Sequence, residues 1–258
     1  MRLPIYQIDA FADRTFTGNP AAVVLLDQWL PEPVMQAIAG ENNLAETAFL
    51  VHEPAGWRIR WFTPACEVDL CGHATLASAF VLFERDPLLP RIAFQSRSGS
   101  LAVDREGERL VLDFPSRPPA AMAPVPGLSE ALGARVREVW KARDLVAVLD
   151  DEATVRGLKP DLAALAGMDD FAVVVTAPGE EADFVSRFFG PRVGVPEDPV
   201  TGSAHSTLVP FWASRLGRTK LRALQVSPRG GELHCELRGD RVAIGGRAVK
   251  VLEGTFFL

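Results

Sequence analysis

Long apolar runs are missing from this chain. None approaches the roughly 18 residues that a membrane-spanning helix needs, so no membrane partner is expected. Positive charge is also in short supply. The 27 Lys and Arg residues against 33 Asp and Glu leave a net charge of −6. Nucleic acid and anionic membranes both demand a basic face, and neither is expected as the main partner. Cysteine is limited to three residues, Cys66, Cys71 and Cys235, with no Cys-x-x-Cys pair. That odd number fits neither a disulfide framework nor a zinc site, and it points to a reducing cytoplasm. The four histidines are scattered and lack metal-ligand spacing, so no metal is expected. There is no Gly-x-Gly-x-x-Gly and no P-loop, so no nucleotide cofactor is implied. Met1 to Asp9 lacks the zones of a secretory signal, and none is expected.

What is present centres on the stretch Phe62 to Thr75. The pattern predicts a strand over Arg58–Phe62, a turn, and a helix opened by Gly72. The body of that helix, Ala74 to Phe83, is apolar on nearly every side, the mark of a helix buried all round. Its start gathers bare backbone N–H groups, the Cys71 thiol and the His73 imidazole. Helix N-termini favour anions, because the first amides lack partners and the helix dipole is positive there. This stretch is read as half of an active site.

Strands are predicted over Tyr6–Ala12 and Ala21–Leu26, with Gly18-Asn19-Pro20 between them read as a turn. Pro31 opens a helix expected to end near Ala39, with Gly40 just beyond it. Asn42 to Val51 follows as a strand, which sets Glu46 among apolar neighbours on both faces. A carboxylate so placed is costly unless it is paired or takes up a proton, and that suits a group which must accept and return one. The five prolines between Pro115 and Pro126 exclude a continuing sheet or helix. They set a domain boundary, giving domains 1–117 and 118–258.

The second half repeats the first. Arg187-Phe188-Phe189-Gly190-Pro191 matches Arg60-Trp61-Phe62-Thr63-Pro64, and Thr201-Gly202-Ser203-Ala204 matches Cys71-Gly72-His73-Ala74. A duplicated unit is the preferred explanation. Its expected consequence is two helix N-termini meeting at one cleft that takes a small carboxylate. Pro210 should kink the second apolar helix. Val249 to Leu258 suits either half as a closing strand.

With these motifs in hand, the chain resembles the phenazine-biosynthesis PhzF-like isomerase family. The resemblance rests on Gly18-Asn19-Pro20, Asn43-Leu44-Ala45-Glu46-Thr47, Asp69-Leu70-Cys71-Gly72-His73-Ala74-Thr75 and Glu197-Asp198-Pro199-Val200-Thr201-Gly202-Ser203-Ala204-His205. It implies an α+β fold of two pseudo-symmetric β-roll domains, each wrapped around a central apolar helix, as in diaminopimelate epimerase. It also implies an isomerase without cofactor or metal, usually a homodimer. By the same resemblance Glu46, His73 and Asp198 are catalytic, and Gly72, Gly202 and Ser203 bind substrate. The substrate in the phenazine enzyme is trans-2,3-dihydro-3-hydroxyanthranilate. The segment Ser227 to Gly231 departs from that enzyme and leaves this chain's substrate open.

The wider superfamily also contains epimerases that use one thiolate at each helix N-terminus. Cys71 stands at the first position, but Thr201 stands at the second, and a threonine hydroxyl is too weak a base. Cys71 is therefore expected to be a buried packing residue, and His205 to cap or pack within its helix. The alternatives carried forward are an epimerase or racemase using Glu46 as its strong base, and a non-catalytic ligand-binding relative.

Overall fold

A computed structural model describes residues 1–258. In chain order the elements are β1 (Arg2–Ala10), β2 (Asn19–Leu26), α1 (Glu32–Asn42), β3 (Glu46–Glu53), β4 (Gly56–Phe62), β5 (Glu67–Val68), α2 (Gly72–Arg85), β6 (Arg91–Ser96), β7 (Gly99–Glu106) and β8 (Arg109–Pro115). They continue with β9 (Ala120–Met122), α3 (Leu128–Leu132), β10 (Glu138–Lys141), β11 (Leu145–Val148), α4 (Glu152–Gly157), α5 (Leu162–Ala166), β12 (Val173–Pro178), β13 (Phe184–Gly190), β14 (Val195–Asp198), α6 (Gly202–Leu216), β15 (Lys220–Gln225), β16 (Gly231–Arg238), β17 (Arg241–Gly246) and β18 (Ala248–Phe257). No helix is long and apolar enough to cross a membrane.

The chain forms two compact units. The first comprises Met1–Asp113 with Gly245–Leu258, and the second Phe114–Ile244. The boundary thus falls close to the proline-rich segment, but the tail does not stay with the second half as the 118–258 division has it. β18 pairs antiparallel with β1 over its whole length, from Arg2 opposite Phe257 to Ala10 opposite Ala248.

In the first unit β2 and β3 run parallel, joined by α1. β3 pairs antiparallel with β4, β4 with β5, and β4 runs parallel to β6. Helix α2 packs against β1, β2, β3, β7 and β18, so strands surround it. Its residues from Gly72 to Phe83 are buried with the exception of Phe80. Burial of Leu76, Val81, Leu82 and Phe83 contributes about 1.5–3 kcal/mol each, the main reason an all-apolar helix seats here. Helix α1 runs past Gly40 to Asn42. It ends on Asn43, whose left-handed backbone (φ 48°) lets its N–H reach the Ala39 carbonyl at 3.1 Å. Asparagine, not the expected glycine, closes this helix.

The second unit repeats that pairing scheme. β11 and β12 run parallel, joined by α4 and α5; β12 pairs antiparallel with β13, β13 with β14, and β13 runs parallel to β15. The duplication extends to an ion pair. Arg60 grips Glu67 through two bonds of 2.6 and 2.7 Å, and Arg187 grips Glu197 through two of 2.7 and 2.9 Å. Each pair ties the strand before the Pro-bearing turn to the short strand after it. The proline-rich segment still holds a short strand. β9 uses its proline-free centre, Ala120 to Met122, to pair with β10. Pro210 is accommodated because the Ser206 carbonyl, its lost partner within α6, instead accepts the Arg117 N–H at 2.8 Å.

Candidate active site

In the first unit three segments bring the predicted residues together. Glu46 is the first residue of β3, level with Ala21 of the neighbouring strand β2. Asn19 opens β2 two residues earlier. Gly18 before it has φ +70°, and a Cβ there would run into the Ala10 carbonyl oxygen, so the turn that delivers Asn19 requires glycine. Cys71 is the N-cap of α2, and Gly72 and His73 are its first residues. The Cys71 side chain makes no capping bond, which leaves the first amides of the helix for another acceptor.

His73 stands in the middle. Its Nε2 lies 3.0 Å from Glu46 Oε2. The two atoms are poorly aligned for a hydrogen bond, and neither has another partner. The opposite ring edge, Nδ1, lies 3.2 Å from Asn19 Nδ2 and 3.5 Å from Cys71 Sγ. His73 is buried, while the Glu46 side chain keeps 17% of its surface exposed. The carboxylate therefore lies against the imidazole yet is still reachable.

Burial pushes the Cys71 thiol up to about 11, and the Glu46 charge adds to the effect. Burial alone would lower the His73 imidazolium. The Cys71 and Glu46 groups beside it pull it upward. Near neutral pH Cys71 is a thiol without charge, so its pull on His73 is absent there. The upward pull on His73 then rests on Glu46. Asn19 acts in the other direction, because an amide N–H can be donated to Nδ1 only when that nitrogen carries no proton.

Glu46, Cys71 and His73 bring carboxylate, thiol and imidazole atoms within 4.8 Å of one another. They are the residues that could hold a metal. However, His73 turns Nε2 to Glu46 and Nδ1 to Cys71, on opposite edges of one ring. A tetrahedral ion, about 2.0–2.3 Å from each ligand, needs one imidazole nitrogen to face both other donors, whereas His73 gives a different nitrogen to each.

The second unit places the remaining predicted residues together. Asp198 ends β14, Thr201 is the N-cap of α6, and Gly202 and Ser203 are its first residues. Thr201 provides no capping bond to this helix either. Its hydroxyl donates to Asp198 Oδ2 and accepts from Gln225 Nε2 at 3.2 Å. Gln225 also receives the Thr201 N–H at 2.8 Å and donates to the Asp198 carbonyl at 2.8 Å. Gln225 thus shapes the whole loop, and nothing in its local sequence marks it. The Arg143 guanidinium, held by Asp144 at 2.8 and 2.9 Å, lies 3.3 Å from Ser203 Oγ. His205 is fully buried and packs as expected, with Nδ1 donating to the Thr201 carbonyl at 2.9 Å. Burial pushes it down to about 4, so it is neutral at physiological pH.

A carboxylate–imidazole pair at an uncapped helix N-terminus, on a β-rich frame, suits the isomerases and epimerases that move protons on small molecules. In fold the chain is similar to a hydroxyproline epimerase of Agrobacterium vitis, solved with bound trans-4-hydroxy-L-proline, at a TM-score of 0.64 and 12% identity over 98% of this chain and 92% of that one. Much nearer is the crystal structure of a PhzF-family phenazine biosynthesis protein from Enterococcus faecalis, with a TM-score of 0.98 and 51% identity over all of both chains. An uncharacterized isomerase of Pseudomonas aeruginosa is 54% identical over 259 residues, all of both chains. The family model described as phenazine biosynthesis-like protein matches residues 8–254. The chain belongs to this phenazine biosynthesis-like family.

Proposed function

We propose that this protein is an isomerase that moves a proton between carbon positions of a small, carboxylate-bearing metabolite, with Glu46 as the acid/base. The observation that carries this reading is the pairing of a part-exposed Glu46 with buried His73 at the uncapped N-terminus of α2. Glu46 takes a proton from carbon and returns it elsewhere on the same face. His73 and Asp198 hold polar groups of the substrate. The amides of Gly72, His73, Gly202 and Ser203 receive its carboxylate or the enolate-like charge that develops. A carboxylate base needs no cofactor or metal for such a transfer. The wider family resemblance adds a cytoplasmic homodimer to the proposal, which light scattering on the purified protein checks.

Epimerisation by a cysteine pair is disfavoured on two further grounds. The Cys71 thiol is pushed up to about 11, and the Thr201 hydroxyl is engaged with Asp198 and Gln225. An epimerase or racemase that uses Glu46 stays compatible with the same geometry.

The test is proton NMR in D2O, starting with trans-2,3-dihydro-3-hydroxyanthranilate and extending to small amino and hydroxy acids. Turnover with deuterium gain is expected, and Glu46→Gln should reduce it by about 10²–10⁴-fold. A Glu46→Gln protein with the full rate removes Glu46 from the mechanism. Specific binding without exchange on any compound supports the non-catalytic relative instead.

A further inference from the structure

We propose that Asn19 is a positioning residue that holds His73 as the neutral imidazole with its proton on Nε2. The Gly18-Asn19-Pro20 segment reads in the sequence as a turn, but only Gly18 bends; Asn19 and Pro20 already belong to β2, opposite Ala10 and Asp9 of β1. Asn19 is fully buried, and its amide nitrogen sits 3.2 Å from His73 Nδ1, 54 residues away along the chain.

An amide nitrogen carries only donors. It bonds to Nδ1 only if Nδ1 presents a lone pair. The second neighbour of that edge is the Cys71 thiol at 3.5 Å, also a donor. Both groups thus ask Nδ1 to accept, and the ring proton is left to Nε2, on the side of Glu46 Oε2 at 3.0 Å. The titratable groups that face His73 are Glu46 from β3 and Cys71 from the loop before α2, while β2 presents the neutral Asn19. Glu46 favours a doubly protonated ring, and Asn19 opposes it. To form the imidazolium, the Asn19 amide would have to turn and offer its oxygen to Nδ1.

This deepens the reading of Glu46 as the base. A neutral His73 orients the carboxylate without locking it into an ion pair, so Glu46 stays open to a proton from substrate.

The experiment is long-range proton–nitrogen NMR on the full chain with 15N-labelled histidine. His73 is assigned by the loss of its signals in His73→Gln, among four histidines in all. The expected wild-type pattern at pH 7 is a protonated Nε2 and an unprotonated Nδ1. Asn19→Asp replaces the donor by a charged acceptor and should move the titration midpoint of His73 upward by about 1–3 pH units. Asn19→Leu removes the donor at similar size and should also raise the midpoint. A wild-type His73 with both nitrogens protonated, or with the proton on Nδ1, overturns the assignment even if no variant folds. So does an Asn19→Leu spectrum identical to wild type. None of these results depends on a substrate, so failure here leaves the exchange test of Glu46 to stand or fall separately.

Discussion

At the scale of single residues, Cys71 shows how burial decides chemistry. It stands at a helix N-terminus beside an imidazole, a setting that usually favours thiolate. Burial and the Glu46 charge override both and push it up to about 11, and burial pushes Cys235 up as well. Cys66 alone of the three is exposed. One thiol per chain should therefore react with a disulfide reagent at pH 8 in the native protein, and three in denaturant. Rapid native reaction at Cys71, located by mass spectrometry, would reopen a thiolate mechanism. Glu46 and His73 were legible in the sequence because each lies in a motif whose surroundings already mark it, a charge among apolar residues and an imidazole at a helix start. Asn19 and Gln225 were not. Turn rules see what a backbone tolerates, and neither residue reveals the partner that its side chain reaches across the fold.

At the scale of elements, α6 carries a titrating group in its core. His205 binds protons at about 4 in the folded chain against an ordinary 6.5. The unfolded chain takes up that proton first, so the contribution of neutral His205 is complete above pH 6.5 and is lost as the pH falls towards 4. The loss amounts to about 3 kcal/mol by pH 4. His205→Asn keeps a donor for the Thr201 carbonyl but cannot titrate. Thermal unfolding should show wild type and variant diverging on acidification, the variant falling less steeply, with a constant offset above pH 7. Parallel curves would mean that His205 is not the group involved. The helix itself was readable from its apolar run. Its tolerance of Pro210 was not, because the compensation comes from Arg117, in a segment that looked like mere linker. β9 was hidden by the same prolines, since only its three-residue centre is free of them.

At the scale of the whole molecule, duplication was visible in two short sequence echoes, and the paired strands and the Arg60–Glu67 and Arg187–Glu197 bridges bear it out. The return of the tail was not visible, because a strand's own pattern does not say which neighbour it joins. That return has a measurable effect. A chain truncated before Ala248 leaves β1 with β2 but without β18. Hydrogen exchange should then show β1 and α2 losing protection, while β11 to β13 in the second unit keep theirs. Equal loss in both units would mean that they fold as one. The same connectivity sets an order for synthesis. Phe114–Ile244 is an uninterrupted segment, and all of it has been made before Gly245–Leu258. The first unit emerges earlier but must wait for Gly245–Leu258 before α2 is enclosed. The unit that holds Glu46 and His73 is thus begun before the other and completed after it, since α2 is enclosed only when β18 has been made.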